Sequence, residues 1–144
     1  MNEMTSEQRA ERLEGIGCKR KRVEDVRFVQ GKGNYVDDLK LPGMLYGDFA
    51  RSPYGHARIT SIDTSKAKAV PGVLAVLTAA DLKPLNLHYM PTLAGDVQAV
   101  LAEHKVLFQN QEVAFVVAEE RYVAADAADL VEVVYEALPV IVDP

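Results

Sequence analysis

The sequence predicts a mixed α and β (α+β) fold, and two observations carry that prediction. Apolar runs of strand length alternate with short stretches of helical periodicity, and Gly and Pro punctuate the joins. Residues 5–14 read as a short, highly charged helix, with Thr5 and Gln8 at capping-box spacing and Gly15 at the expected stop. Its apolar face is only Ala10 and Leu13, so it needs a surface to dock on. Residues 18–27 are polar and basic and read as extended or loop-like; Gly31 and Gly33 punctuate, Tyr35-Val36 opens a short strand, and Pro42-Gly43 marks a turn. Residues 44–51 suit a strand broken by Gly47, and residues 57–63 suit a second strand anchored by Ile59 and Ile62. Thr64 stands where a cap is needed for a helix over 65–69, which stops before Pro71-Gly72.

Residues 73–77 form a compact apolar strand, and Thr78 caps a single helical turn through Leu82. Residues 83–104 hold Pro84, Pro91 and Gly95 and read as a long excursion over a neighbour, with a helical turn near 97–101. Residues 113–117 are a continuous β-branched and aromatic run, the pattern of a strand buried on both faces. Residues 121–130 form a helix whose apolar stripe is Val123, Ala127 and Leu130, with Ala124, Ala125 and Ala128 raising its propensity. Residues 131–135 read as the last strand, and Pro139 ends the regular pattern.

Composition narrows the class. With 144 residues, 49% hydrophobic and 26% charged, the chain is of ordinary globular type. A chain of this length can bury roughly 68–70% of its unfolded surface. No apolar run approaches the ~20 residues that span a bilayer. The amino terminus mixes acids and bases and lacks the apolar centre of a secretory signal, so the expected location is the cytoplasm. A single cysteine, Cys18, excludes an internal disulfide and agrees with a reducing compartment. The net charge of −5 is uneven: residues 1–72 carry 13 basic and 10 acidic side chains, residues 73–144 carry 3 and 11.

Motifs for chemistry are scarce. His56, His88 and His104 show neither H-x-x-x-H nor H-E-x-x-H spacing, and one cysteine cannot build a zinc site. Gly31 and Gly33 begin a G-x-G, but Val36 stands where a third glycine belongs and a strand, not a helix, is expected next; a turn is the better account. There is no P-loop and no nucleophile elbow. Asp37-Asp38 and Glu119-Glu120 read as solvated turn acids, since neighbours on a strand face opposite ways. The run Lys19-Arg20-Lys21-Arg22 meets Glu24 and Asp25 at once, in an acidic chain with few aromatics; nucleic acid is not the expected partner. Cys18 sits beside four cations that favour its thiolate, but no base or second thiol accompanies it.

Beyond that point resemblance carries the reading. Four stretches resemble the large subunit of the molybdenum hydroxylases, the xanthine dehydrogenase and aldehyde oxidase family. They are Arg27-Phe28 with Gly31-x-Gly33-x-Tyr35-x-Asp37-Asp38 and Leu41-Pro42-Gly43; Arg51-Ser52-Pro53-x-x-His56-Ala57-Arg58-Ile59; Pro71-Gly72-Val73-x-Ala75-Val76-Leu77-Thr78; and Gln111-x-Val113-Ala114 through Val133-x-Tyr135-Glu136-x-Leu138-Pro139. They stand in the family's order over about residues 27–143. The basic segment from Gly17 to Asp25, the loop from Leu85 to Val97, and Val106-Leu107-Phe108-Gln109-Asn110-Gln111 are similar to the family's carbon monoxide dehydrogenase branch. Asn110 stands where many other members have glycine.

The resemblance implies a division into an N-terminal charged helix and basic arm (1–26) and an α/β-hammerhead domain (27–144). His56 would tie a loop, and no catalytic, cofactor-binding or metal-ligating residue is expected in this stretch. The copper-bearing cysteine, catalytic glutamate and cofactor-binding glutamines of the branch lie in later motifs with no counterpart here, so Cys18 is not the copper ligand. The chain thus reads as a fragment. The whole enzyme, by resemblance, oxidises carbon monoxide with water, using molybdopterin cytosine dinucleotide, molybdenum, copper, two [2Fe–2S] clusters and FAD. The implied partners are the rest of the large subunit, the iron–sulfur small subunit and the FAD-binding medium subunit. The implied location is cytoplasmic, peripheral at the inner membrane face in the full complex. Two alternatives stay open: the same domain from a hydroxylase of an aldehyde, purine or N-heterocycle, and a freestanding, non-catalytic binding module.

Overall fold

A computed structural model describes residues 21–87, 89–90 and 98–141. The chain divides into two compact units, residues 1–41 and 42–144. The helix expected over 5–14, Cys18, His88 and Pro91 lie outside the described residues.

In the first unit the chain turns helical at Asp25 rather than running extended to Arg27. Helix α1 (Asp25–Val29) is held by local bonds: the Asp25 carboxylate accepts the Arg22 N–H at 3.1 Å, and Glu24 pairs with Arg27 at 2.7 Å. Phe28 stacks on Tyr35 with ring centroids 5.4 Å apart. The strand expected at Tyr35-Val36 is instead a single 3-10 turn, Val36–Asp38. The Asp38 carboxylate reaches back to the Tyr35 N–H at 2.9 Å. Such a local side-chain bond gives the backbone an alternative to a ladder.

The second unit holds strands β1 (Tyr46–Arg51), β2 (Ala57–Asp63), β3 (Val73–Thr78), β4 (Tyr89–Met90), β5 (Gln98–Ala99), β6 (Lys105–Val106), β7 (Glu112–Ala118) and β8 (Glu132–Ala137). Between them run helices α2 (Ser65–Lys68), α3 (Ala79–Leu82) and α4 (Arg121–Asp129). One sheet has the order β1-β7-β3, a second β6-β2-β8, and β4 pairs with β5 alone. Every pairing is antiparallel. The helical turn expected near 97–101 is therefore corrected to a strand, with Gln98 opposite Met90 and Ala99 opposite Tyr89.

Strand β7 is central to the first sheet, and Val113, Ala114, Val116 and Ala118 are all fully buried. Val116 packs in a core with Ala67, Val76, Ala127 and Ala128. Val113 packs in a second core with Ala57, Ala102 and Val106. One strand thus supplies both cores. Each fully buried valine is worth ~1.5–3 kcal/mol over its exposed state.

Helix α4 forms where its periodicity predicts, but presents a different face. Ala124, Ala127 and Ala128 are buried, while Leu130 is 41% exposed. Methyl side chains let the helix lie close on β1 and β7, where a leucine stripe would hold it off. The turn before β3 follows sequence: Val73 N–H bonds to Val70 O at 3.1 Å across Pro71-Gly72, with Gly72 at φ +88°. Pro then Gly at the two central positions is the type II signature.

Gly47 does not break its strand. It pairs with Val117 inside β1, and its missing side chain makes room for the Phe115 ring: an added Cβ would meet Phe115 Cζ and lie 2.6 Å from Cε2. That ring also packs on Phe49, centroids 4.7 Å apart. The cap of α2 is likewise corrected, since the Asp63 carboxylate, not Thr64, accepts the Ser65 N–H at 2.8 Å.

At α3 the Asp81 carboxylate accepts from both the Thr78 N–H (2.7 Å) and the Thr78 hydroxyl (2.8 Å). The Thr78 bonds hold the Asp81 carboxyl below its ordinary 3.8. A depressed folded value means that the stabilisation is fully present above 3.8 and is lost as pH falls through the lower folded value. Asp81→Asn is accordingly expected to lower the melting temperature at pH 7, with the gap to the parent closing in acid; a gap independent of pH contradicts this. Gly47→Ala is expected to cost ~1–3 kcal/mol in urea unfolding. Trimming the ring by Phe115→Leu should make the second change less costly than the sum of the two, a coupling read from a double-mutant cycle.

Candidate functional site

The most constrained polar constellation lies where the chain leaves β1 and where it approaches β7. Ser52 and Gln111 are buried there, 1% and 5% exposed. Ser52 N–H donates to Gln111 O at 3.0 Å, and Asn110 N–H donates to Ser52 O at 2.9 Å. Arg51 reaches across to Asn110 O at 3.0 Å and pairs with Glu112. Asn110 has φ +65°. Glycine and asparagine enter that region most readily, so an asparagine suits this turn.

The Ser52 hydroxyl is saturated. It accepts the Tyr54 N–H at 3.1 Å, donates to Tyr54 O at 3.2 Å, and shares a hydrogen bond with the Tyr135 phenol. Burial pushes the Tyr135 phenol up, and the Ser52 bond offsets part of that rise. A hydroxyl so engaged serves as a structural knot rather than a nucleophile. Gln111 is only half engaged. Its Oε1 accepts the Leu107 N–H at 2.6 Å, while among the described residues its Nε2 meets no acceptor. A buried donor left unpaired costs ~1–3 kcal/mol.

His56 ties a loop, as the resemblance implies. Its Nδ1 lies 2.7 Å from Pro139 O, and its own carbonyl accepts the Leu138 N–H at 3.0 Å. His56 and His104 also line one open depression of about 580 Å³ with Arg58 and Lys105. Neighbouring acids answer two of these groups: Arg58 pairs with Glu136 at 3.5 Å, and His104 lies 3.4 Å from Glu103. Gly31 takes φ +69° in a turn, and Gly33 lies under the Phe28 ring. Asp38 caps its turn.

Among the described residues, no three His, Cys, Asp or Glu side chains come together in a way that could hold a metal ion. None of the helices among the described residues is long and apolar enough to cross a membrane. Ser52 and Gln111 fall inside the family-like stretches, but sequence reasoning gave them no role because a lone serine and a lone glutamine carry no spacing signal. Their one mark is to be polar residues at the ends of apolar strands.

Residues 30–139 match the aldehyde oxidase and xanthine dehydrogenase a/b hammerhead domain. The chain belongs to that family. This hammerhead domain is 82% identical over 142 residues to the carbon monoxide dehydrogenase large chain of Afipia carboxidovorans, covering 99% of this chain and 18% of that one. It is 64% identical over 121 residues to the carbon monoxide dehydrogenase large chain of Hydrogenophaga pseudoflava, covering 84% and 15%. It superposes on a crystal structure of a Cu,Mo-CO dehydrogenase with a TM-score of 0.81 and 83% identity, over 92% of this chain and 17% of that one. The hammerhead domain thus spans under a fifth of the length of these relatives.

His56→Ala is expected to lower stability by ~1 kcal/mol, the net worth of one hydrogen bond. Hydrogen exchange at the Leu138 amide should speed up selectively, while the amides of β7 keep their protection. Unchanged exchange at Leu138 contradicts the tie.

Proposed function

We propose that this chain is the amino-terminal hammerhead domain of the molybdenum-bearing large subunit of an aerobic carbon monoxide dehydrogenase. The observation that carries this reading is 82% identity over 142 residues to a large chain of that enzyme. Within it, residues 1–26 act as a charged arm and residues 27–144 as the hammerhead. The whole enzyme would oxidise carbon monoxide with water to carbon dioxide, releasing two protons and two electrons. Its molybdopterin cytosine dinucleotide centre, with molybdenum and copper, would supply the redox chemistry, and two [2Fe–2S] clusters and FAD on companion subunits would carry the electrons away.

This domain's contribution is mechanical. It supplies a rigid sheet pair and shaped surface against which the rest of the large subunit packs, and through that the iron–sulfur and FAD-binding subunits. Catalytic, cofactor-binding and metal-ligating residues belong to the remainder of the large chain. The complex would work in the cytoplasm, peripheral at the inner membrane face. A single cysteine in 144 residues fits a reducing compartment.

The test is expression of the large chain containing this segment, together with its companion subunits, assayed for carbon monoxide oxidation with an artificial electron acceptor. Turnover is expected from the assembly. None is expected from the 144-residue chain alone, which should also carry no stoichiometric molybdenum, copper, iron or flavin. Turnover by the short chain by itself, or oxidation of an aldehyde or N-heterocycle in place of carbon monoxide, overturns the proposal.

A further inference from the structure

One face of the sheet β6-β2-β8 gathers positive charge in a part of the chain that is otherwise acidic. Residues 73–144 carry 3 basic and 11 acidic side chains, so a cation there should find a counter-ion close by. Lys83 does, in Glu103. Lys105 does not: among the described residues no acidic side chain pairs with it. The β2–β6 register instead sets Lys105 directly opposite Arg58. Their strand neighbours Val106 and Ala57 are fully buried, so both cations leave the sheet on its open face. Like charges directly opposite one another on paired strands repel. Glu136 stands opposite Arg58 on its other side and meets the Arg58 Nε at 3.5 Å. Across the sheet the row therefore runs cation, cation, acid, and one positive charge is left over.

We infer that this face docks an acidic segment of the same large chain, one that follows residue 139, with a carboxylate seated between Lys105 and Arg58. The inference rests on the functional reading above and adds the surface and the charge of its contact. Three observations select this occupant. The first is charge. Arg58 and Lys105 line the open depression of about 580 Å³ together with His56, His104, Ile59 and Leu138, and no Asp or Glu is among its lining residues. A carboxylate placed there turns a repulsive cross-strand pair into an alternating row, and half-buried Ile59 and Leu138 offer apolar surface to the stem of a glutamate. The second is position. The hammerhead match ends at residue 139, His56 holds the Pro139 carbonyl at 2.7 Å, and Leu138 lines the depression, so polypeptide that continues leaves from the rim of this site. The third is length. The relatives carry more than four-fifths of their chain outside the matched region. A segment tethered at the root of a site meets it at an effective concentration that a separate subunit lacks.

The test uses the full-length large chain in its assembled enzyme, treated with a water-soluble carbodiimide. That reagent activates a carboxylate, and an amine in contact with it displaces the reagent as a urea and closes an amide with no spacer. Mass spectrometry is expected to find the Lys105 Nζ joined to an Asp or Glu of the same large chain beyond residue 139. The contacting pair Lys66 and Glu132 supplies an internal product against which the yield is scaled. Arg58→Gln should lower the scaled yield about fivefold, since the second cation carries part of the attraction. Arg58→Met, uncharged and with a stem of similar length, should do the same if the glutamine variant fails to assemble, and Arg58→Lys should restore the yield. A Lys105 product with Glu103 or Glu136 alone, with a companion subunit or with a second copy overturns the inference. So does the absence of any Lys105 product, or a yield indifferent to the loss of the Arg58 charge. Carbon monoxide turnover is measured on the same preparations, so the two readings separate. Turnover without the cross-link rejects the docking face alone, and the cross-link without turnover rejects the functional assignment alone.

Discussion

Burial of strand β7 is the constraint on which the second unit depends. Its residues Val113, Ala114, Val116 and Ala118 have no exposed surface, it has a partner strand on each edge, and it contributes to two separate cores. A strand in that position cannot twist or slip without disturbing both cores, because a one-residue shift would exchange every inward side chain for an outward one. Between the irregularities at Ala50/Arg51 and Val73/Ala75 the register holds on both edges, with Phe49 and Leu77 each opposite Phe115. Gly47 yields its side-chain volume to the Phe115 ring.

Around that strand, polar groups act as fasteners. Backbone bonds of Ser52 and Gln111 join the exit from β1 to the approach to β7, and Ala102 is pinned to Glu112. Exposed ion pairs such as Arg58 with Glu136 add little, since partners that open to solvent gain only ~0–1 kcal/mol. The buried fasteners matter more, because leaving a buried polar group unpaired is costly. Among the described residues, Gln111 is satisfied on its Oε1, which accepts the Leu107 N–H.

Among the described residues, the titratable groups with shifted values are turn-capping acids, a lysine in a surface pair, and a half-buried tyrosine beside a saturated serine. Each shift has a structural cause, and none places an acid and a base around a shared vacancy.

Local pattern was enough to locate most elements. The Val-rich runs gave β3 and β7, the Ile-anchored segment gave β2, the alanine-rich stretch gave α4, and Pro71-Gly72 gave its turn, because each depends on residues only a few positions apart. The family motifs were equally legible and supplied the functional reading, since they are contiguous words. Tertiary structure alone decided what depends on distant partners: which face of α4 is buried, why Gly47 stays in its strand, that Gln98–Ala99 pairs with Tyr89–Met90, and that Ser52 meets Gln111. Periodicity states that a face is apolar; only packing against residues tens of positions away determines which face is closed.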